Sequence, residues 1–186
     1  MSIADFTGTI LDELRSVLSR VPAAEADAFV ADILSARRIF VAGAGRSGLA
    51  GRAFAMRLMH FGFDAFVIGE IATPAYSADD LLVVCSGSGE TGSLVSIAEK
   101  ARRIGGKIAL VTIVPESSIG RLADRRLTLP APSPKAKAGE TVRSVQPMGS
   151  LFEQAVLLFL DAVILELMAR RGVISEEMFT RHANLE

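Results

Sequence analysis

The chain carries short apolar runs that do not alternate with polar residues, and this limits the folds open to it. Residues 38–42, 65–68, 81–85, 107–114 and 125–129 read as strands, and Leu81–Cys85 is apolar at every position. A strand with one wet face alternates, whereas a strand apolar throughout is covered on both faces. Helical patterns or glycine turns lie between most of the runs. The expected architecture is therefore α/β: a parallel sheet inside a three-layer sandwich.

Two helical patterns, about residues 4–19 and 24–36, precede the first strand and are split by Val21-Pro22, where a helix can restart. They form an N-terminal arm over residues 1–36 that can pack on a neighbouring subunit. Residues 130–149 have no apolar period and form the one long loop. Lys135, Lys137 and Arg143 make it basic, which suits a lid over an anion or a solvated loop equally. From Leu151 to Arg171 the pattern is apolar almost all the way round, the mark of a helix buried in a core or an oligomer interface.

With 186 residues, half of them apolar, the chain is expected to be one domain, residues 1–186. A net charge of -1 offers no footprint for nucleic acid, and no basic helix suggests membrane binding. The longest apolar stretch is interrupted by Asp161 and Glu166, and the N-terminus lacks a basic leader, so a cytoplasmic protein is expected. One cysteine, Cys85, and two histidines argue against a disulfide framework and a zinc site. Cys85 reads as a small core residue.

The most informative segment is Val83–Gly92, where a strand empties into Ser86-Gly87-Ser88-Gly89-Glu90-Thr91 and a helical pattern follows. Glycines let backbone amides approach an anion, hydroxyls donate, and a helix start adds unpaired amides and a positive dipole end. The ligand implied is a phosphate monoester. The plainer reading is that Thr91 or Ser88 only caps a helix. No Gly-Lys-Ser/Thr follows, so this is not a nucleotide triphosphate loop.

A rival motif precedes it. Gly43-Ala44-Gly45-Arg46-Ser47-Gly48 has dinucleotide-loop spacing, with Glu70 placed to take a ribose. On that reading Ser86–Thr91 would have no task, and the chain leaves little room for a substrate domain.

On the helix after the long loop, Glu153 shares a line with Leu157, Leu160 and Ile164. Ser150-Leu151-Phe152-Glu153 also matches a capping box, in which Glu153 bonds back to the Ser150 amide. Both readings, cap and working carboxylate, stand on the sequence. His60 lies on a line with Leu49, Ala53 and Met56, as a core or interface histidine or a site group, and His182 sits in a polar tail, residues 181–186.

Taken together, Gly45-Arg46-Ser47-Gly48, Phe54–His60, Ser86–Thr91, Ser144–Gln154 and Arg181–Glu186 make the chain resemble the sugar isomerase (SIS) domain family nearly end to end. Within it, the last two segments resemble the ketose phosphate isomerases of the ribulose monophosphate pathway of formaldehyde fixation. The resemblance implies a five-stranded parallel sheet, a homotetramer, and interconversion of 3-hexulose 6-phosphate and fructose 6-phosphate. It implies that Ser47, Ser86, Gly87, Ser88, Gly89, Glu90 and Thr91 bind the sugar phosphate and that Glu153 accepts the proton. It raises His182 as a second acid/base, since a histidine from an adjoining subunit often completes the site in this family; His60 stands beside it as a candidate on its own residues. Arg46 and Arg57 are weaker phosphate contacts or charge partners.

Such a reaction takes a proton from C2, passes through a cis-enediolate and returns a proton to C3, so one base suffices and neither cofactor nor metal is required. Glu153 beside an apolar helix face would be partly desolvated, which strengthens it as a base. Amides near Gly149 and Ser150 would face the enediolate oxygen. An aldose–ketose isomerase using the same base and a non-catalytic sugar-phosphate sensor are the alternatives.

Overall fold

A computed structural model describes residues 1–132 and 143–185. The expected lid lysines Lys135 and Lys137 lie outside the described residues. Strands β1 (Ile39–Gly43), β2 (Ala65–Val67), β3 (Leu81–Cys85), β4 (Lys107–Thr112) and β5 (Arg125–Thr128) form one parallel sheet in the order β2-β1-β3-β4-β5.

Side chains alternate across each strand, so a strand apolar throughout feeds two cores. Ile39, Val41, Leu81, Val83, Cys85, Ala109 and Val111 point to one face, under α1 (Ile3–Leu18), α2 (Ala23–Ser35), α3 (Gly45–Phe61) and α6 (Ser150–Arg171). Phe40, Ala42, Leu82, Val84, Ile108 and Leu110 point to the other, under α4 (Gly92–Ile104) and α5 (Ser118–Leu122). This is the expected three-layer sandwich. The C-terminal α7 (Ser175–Phe179) rests on α3.

The N-terminal arm begins with a capping box: Ser2 N donates to Asp5 Oδ2 at 2.7 Å, and Asp5 N to Ser2 Oγ at 3.2 Å. Its apolar stripe, Leu14, Val17, Phe29, Val30 and Ile33, is buried within the chain, while Ile3, Phe6 and Leu11 stay exposed.

Two glycines place α3. A Cβ on Gly48 would lie 2.6 Å from the Gly43 carbonyl oxygen, and one on Gly43 would lie 2.8 Å from Gly48 Cα. The G-x-G-x-x-G spacing thus lets the helix start press against the end of β1.

At the opposite end of the sheet, the buried Asp80 collects Arg38 Nη2 at 2.8 Å, Arg37 Nε at 3.4 Å and the Ser77 amide at 2.7 Å. Burial alone would raise its carboxyl, but bonds from Arg38 and Ser77 outweigh that and hold it at about 2.

Candidate active site

The chain runs from β1 to β2 at one edge and from β3 through β4 to β5 at the other, so its direction reverses between β1 and β3. Open α/β sheets take ligands in the crevice outside the strand ends at such a point. A cleft of about 500 Å³ opens there. Its walls come from the first turns of α3, α4 and α6: Gly45–Ser47, the loop from Ser86 to Thr91, and the turn from Met148 to Glu153. The N-cap residues of these helices are Ala44, Thr91 and Gly149, and none caps with its side chain. Three sets of first-turn amides and three positive dipole ends therefore converge on one cleft, which favours an anion.

In the serine loop, Ser86 Oγ accepts from Gly89 N at 3.2 Å and Ser88 Oγ from Glu90 N at 3.2 Å. A hydroxyl that accepts from an amide still has its own proton to donate, so both remain donors to a ligand. Thr91 holds the cap position without making the cap bond, so helix capping does not account for its hydroxyl. Gly89 is in the left-handed region (φ 62°), and a Cβ there would lie 1.9 Å from Ser117 Oγ.

Ser47, Ser86, Gly87, Ser88 and Thr91 line the cleft; Gly89 and Glu90 do not. Glu90 Oε1 instead accepts from Ser118 N at 2.7 Å, which holds its carboxyl below the usual range and ties the loop to α5. Burial pushes the Cys85 thiol up to about 12, which leaves it unreactive, in line with its reading as a core residue.

Glu153 lines the same cleft, and its Oε2 accepts from Arg46 Nε at 2.6 Å. Its side chain is 23% exposed against 60% for Arg46. The capping-box expectation is corrected here. Met148 adopts a positive φ of 55°, the helix starts at Ser150 with Gly149 as N-cap, and the Ser150 amide donates to Pro147 O at 3.2 Å. Glu153 thus falls one position past the residue that could close a box, and reaches across to α3.

The two histidines lie elsewhere. His60 stacks on His182 with ring centroids 5.3 Å apart, and His182 on Phe179 at 5.6 Å. Arg57 Nη1 approaches His60 Nδ1 at 3.2 Å, and Arg181 Nη1 donates to the His60 carbonyl at 3.3 Å. Burial, then the charges of Arg57 and His182, push His60 below its ordinary value. His60 sits near the last turn of α3 and Arg46 in its first, separated by roughly 20 Å at 1.5 Å per residue.

Within one chain the histidines therefore do not join the cleft. His60 itself is buried, covered by the C-terminal segment, whereas Leu49 and Met56 on its line are exposed.

Glu70 pairs with Arg52 and does not line the cleft, so the ribose contact of the dinucleotide reading is not made. Among the described residues, no group of three His, Cys, Asp or Glu stands where it could hold a metal ion, and no helix is long and apolar enough to cross a membrane.

Arg46, expected as a weaker phosphate contact or charge partner, is a charge partner, and the carboxylate it pairs with is Glu153. Phe152 and Ile113, which wall the cleft beside Gly87, were missed, because apolar lining cannot be told from core in a sequence.

Residues 32–158 match the model of the SIS domain. The chain is 51% identical over 186 residues to 3-hexulose-6-phosphate isomerase of Bacillus subtilis (strain 168), covering all of both chains. It is 44% identical over 177 residues to 3-hexulose-6-phosphate isomerase of Mycobacterium gastri, covering 95% of this chain and 88% of the other. A crystal structure of a protein from Methanococcus jannaschii, for which a molecular function of 3-hexulose-6-phosphate isomerase was inferred, superposes with a TM-score of 0.80 at 36% identity, covering 97% and 96% of the two chains.

Proposed function

The chain belongs to the SIS domain family, and from that premise we propose that it is a ketose phosphate isomerase interconverting 3-hexulose 6-phosphate and fructose 6-phosphate. The observation that carries the reading is one cleft in which a carboxylate, Glu153, faces three uncapped helix starts and the hydroxyls of Ser47, Ser86, Ser88 and Thr91.

The phosphate sits in the serine loop against the α4 start, fixing the far end of the sugar so that remote binding energy holds C2 and C3 beside Glu153. Glu153 takes the C2 proton; the electrons of that C–H bond become the C2=C3 double bond, and the C3 carbonyl electrons move to its oxygen. The resulting enediolate lies near the amides of the α6 start, which stabilise the developing charge. Protonation at C3 by Glu153, with a hydroxyl proton passed from O2 to O3, completes the exchange. Arg46 holds one oxygen of Glu153 in place.

The transfer between O2 and O3 is the step for the His60–His182 pair. Since about 20 Å of α3 separates that pair from the cleft of its own chain, it reaches a cleft only across a subunit boundary. Exposed Leu49 and Met56 on α3 and Leu157, Leu158 and Leu165 on α6 favour such an assembly, a homotetramer. The whole chain is read as one unit, working in the cytoplasm within the ribulose monophosphate pathway.

The test is incubation with fructose 6-phosphate in heavy water, followed by NMR. Deuterium entering at C3 is expected, and Glu153→Gln should reduce it about 10²–10⁴-fold. Entry at C1 would instead identify an aldose–ketose isomerase, and no entry a sensor.

A further inference from the structure

Glu13, on the N-terminal arm, does more than decorate α1. Its carboxylate accepts three hydrogen bonds from one stretch of chain more than 130 residues away: Ser144 Oγ at 2.7 Å and Gln146 Nε2 at 2.9 Å on Oε2, and the Val145 amide at 2.8 Å on Oε1. Ser144 Oγ in turn accepts from Gln146 N at 3.0 Å. An ionised carboxylate only accepts, so Gln146 must present its amide N–H₂ to Glu13. Among the described residues this leaves Gln146 Oε1 buried without a partner.

The clamped residues lead directly into the working wall of the cleft. Pro147 O accepts from Ser150 N, Met148 turns at positive φ, and Met148 and Gly149 line the cleft beside Glu153. A methyl group at Gly149 would stand 3.7 Å from Glu153 Oε1, so a shift of this turn is a shift of the space around the carboxylate. Glu13 lies outside residues 32–158, the part that matches the SIS domain. Burial raises its carboxyl, but the bonds from Gln146, Val145 and Ser144 outweigh that and keep it below the usual range.

We infer that Glu13 is a positioning residue for the reaction: by clamping residues 144–146 it sets the turn at Met148–Gly149, and with it the α6 start and the seat of Glu153. This rests on the isomerase reading above. A carboxamide at position 13 keeps the size but offers one acceptor oxygen where three donors converge.

The experiment compares wild type with Glu13→Gln and Glu13→Ala. It measures kcat and KM for fructose 6-phosphate, binding of inorganic phosphate, the melting temperature, and backbone hydrogen exchange over 143–150. Expected are a kcat loss of up to about 10²-fold, as for an ångström-scale misplacement of reacting groups, a KM and phosphate affinity within about threefold, and faster exchange confined to 143–150. A kcat close to wild type overturns the inference, and so does a kcat loss matched by a global fall in melting temperature and exchange throughout. If the isomerase reading itself fails, wild type shows no turnover; the exchange comparison then still reports whether Glu13 holds the segment.

Discussion

Arg46 and Glu153 sit 107 positions apart in sequence and within 2.6 Å in space. Among the described residues only one oxygen of this carboxylate is engaged, so the arrangement leaves the group oriented rather than enclosed. His60 gives a second check, through pH. Its folded value lies below the ordinary one, near 6.5, because burial and the neighbouring Arg57 and His182 disfavour the cation. Between the lowered value and 6.5 the unfolded chain binds more protons, so stability rises with pH there. The contribution is complete above about pH 6.5 and is lost as pH falls through the lowered folded value. Melting temperatures taken from pH 7.5 to 5 should therefore decline for wild type and follow a flatter profile for His60→Gln; parallel profiles would remove His60 as the cause.

The helices α3, α4 and α6 act through their starts. Each was foreseeable as a helix, and each begins without a side-chain cap, an arrangement that costs stability at a helix end and leaves amides for an anion. The α3 start depends on the Gly43–Gly48 contact. Gly48→Ala would place a Cβ 2.6 Å from the Gly43 carbonyl, backbone against backbone, where no side-chain rotation relieves it. The expected outcome is a destabilisation of about 1–3 kcal/mol in denaturant melts, together with weaker binding of inorganic phosphate as Ser47 is displaced. Gly92→Ala, whose Cβ meets nothing within 4 Å, is the neutral comparison.

At the scale of the whole molecule, the assembly proposed above turns the distance between the histidine pair and the cleft into a question of subunit arrangement. Glu153→Gln and His182→Ala should each be impaired alone, and mixing them under conditions that exchange subunits should restore part of the activity, since some sites then combine an intact carboxylate with an intact histidine. No recovery above the sum of the two would show that His182 serves no cleft across a subunit boundary and would overturn the shared arrangement. Much of this molecule was legible locally. Apolar runs without alternation, helix periods and glycine spacing act over a few residues, so the strands, the three-layer sandwich and the serine loop could be read from the chain directly. Glu153 could not be decided that way, because its cap partner is local and its other partner distant; a positive φ at Met148 excludes the capping box, and the approach of α3 supplies Arg46 instead. The Arg46 pairing, the Glu13 clamp and the removal of His60 from the cleft likewise depend on contacts spanning more than a hundred residues or on the length of a helix. Such contacts exist only after the sheet order has brought the strand ends together, and no periodicity encodes them.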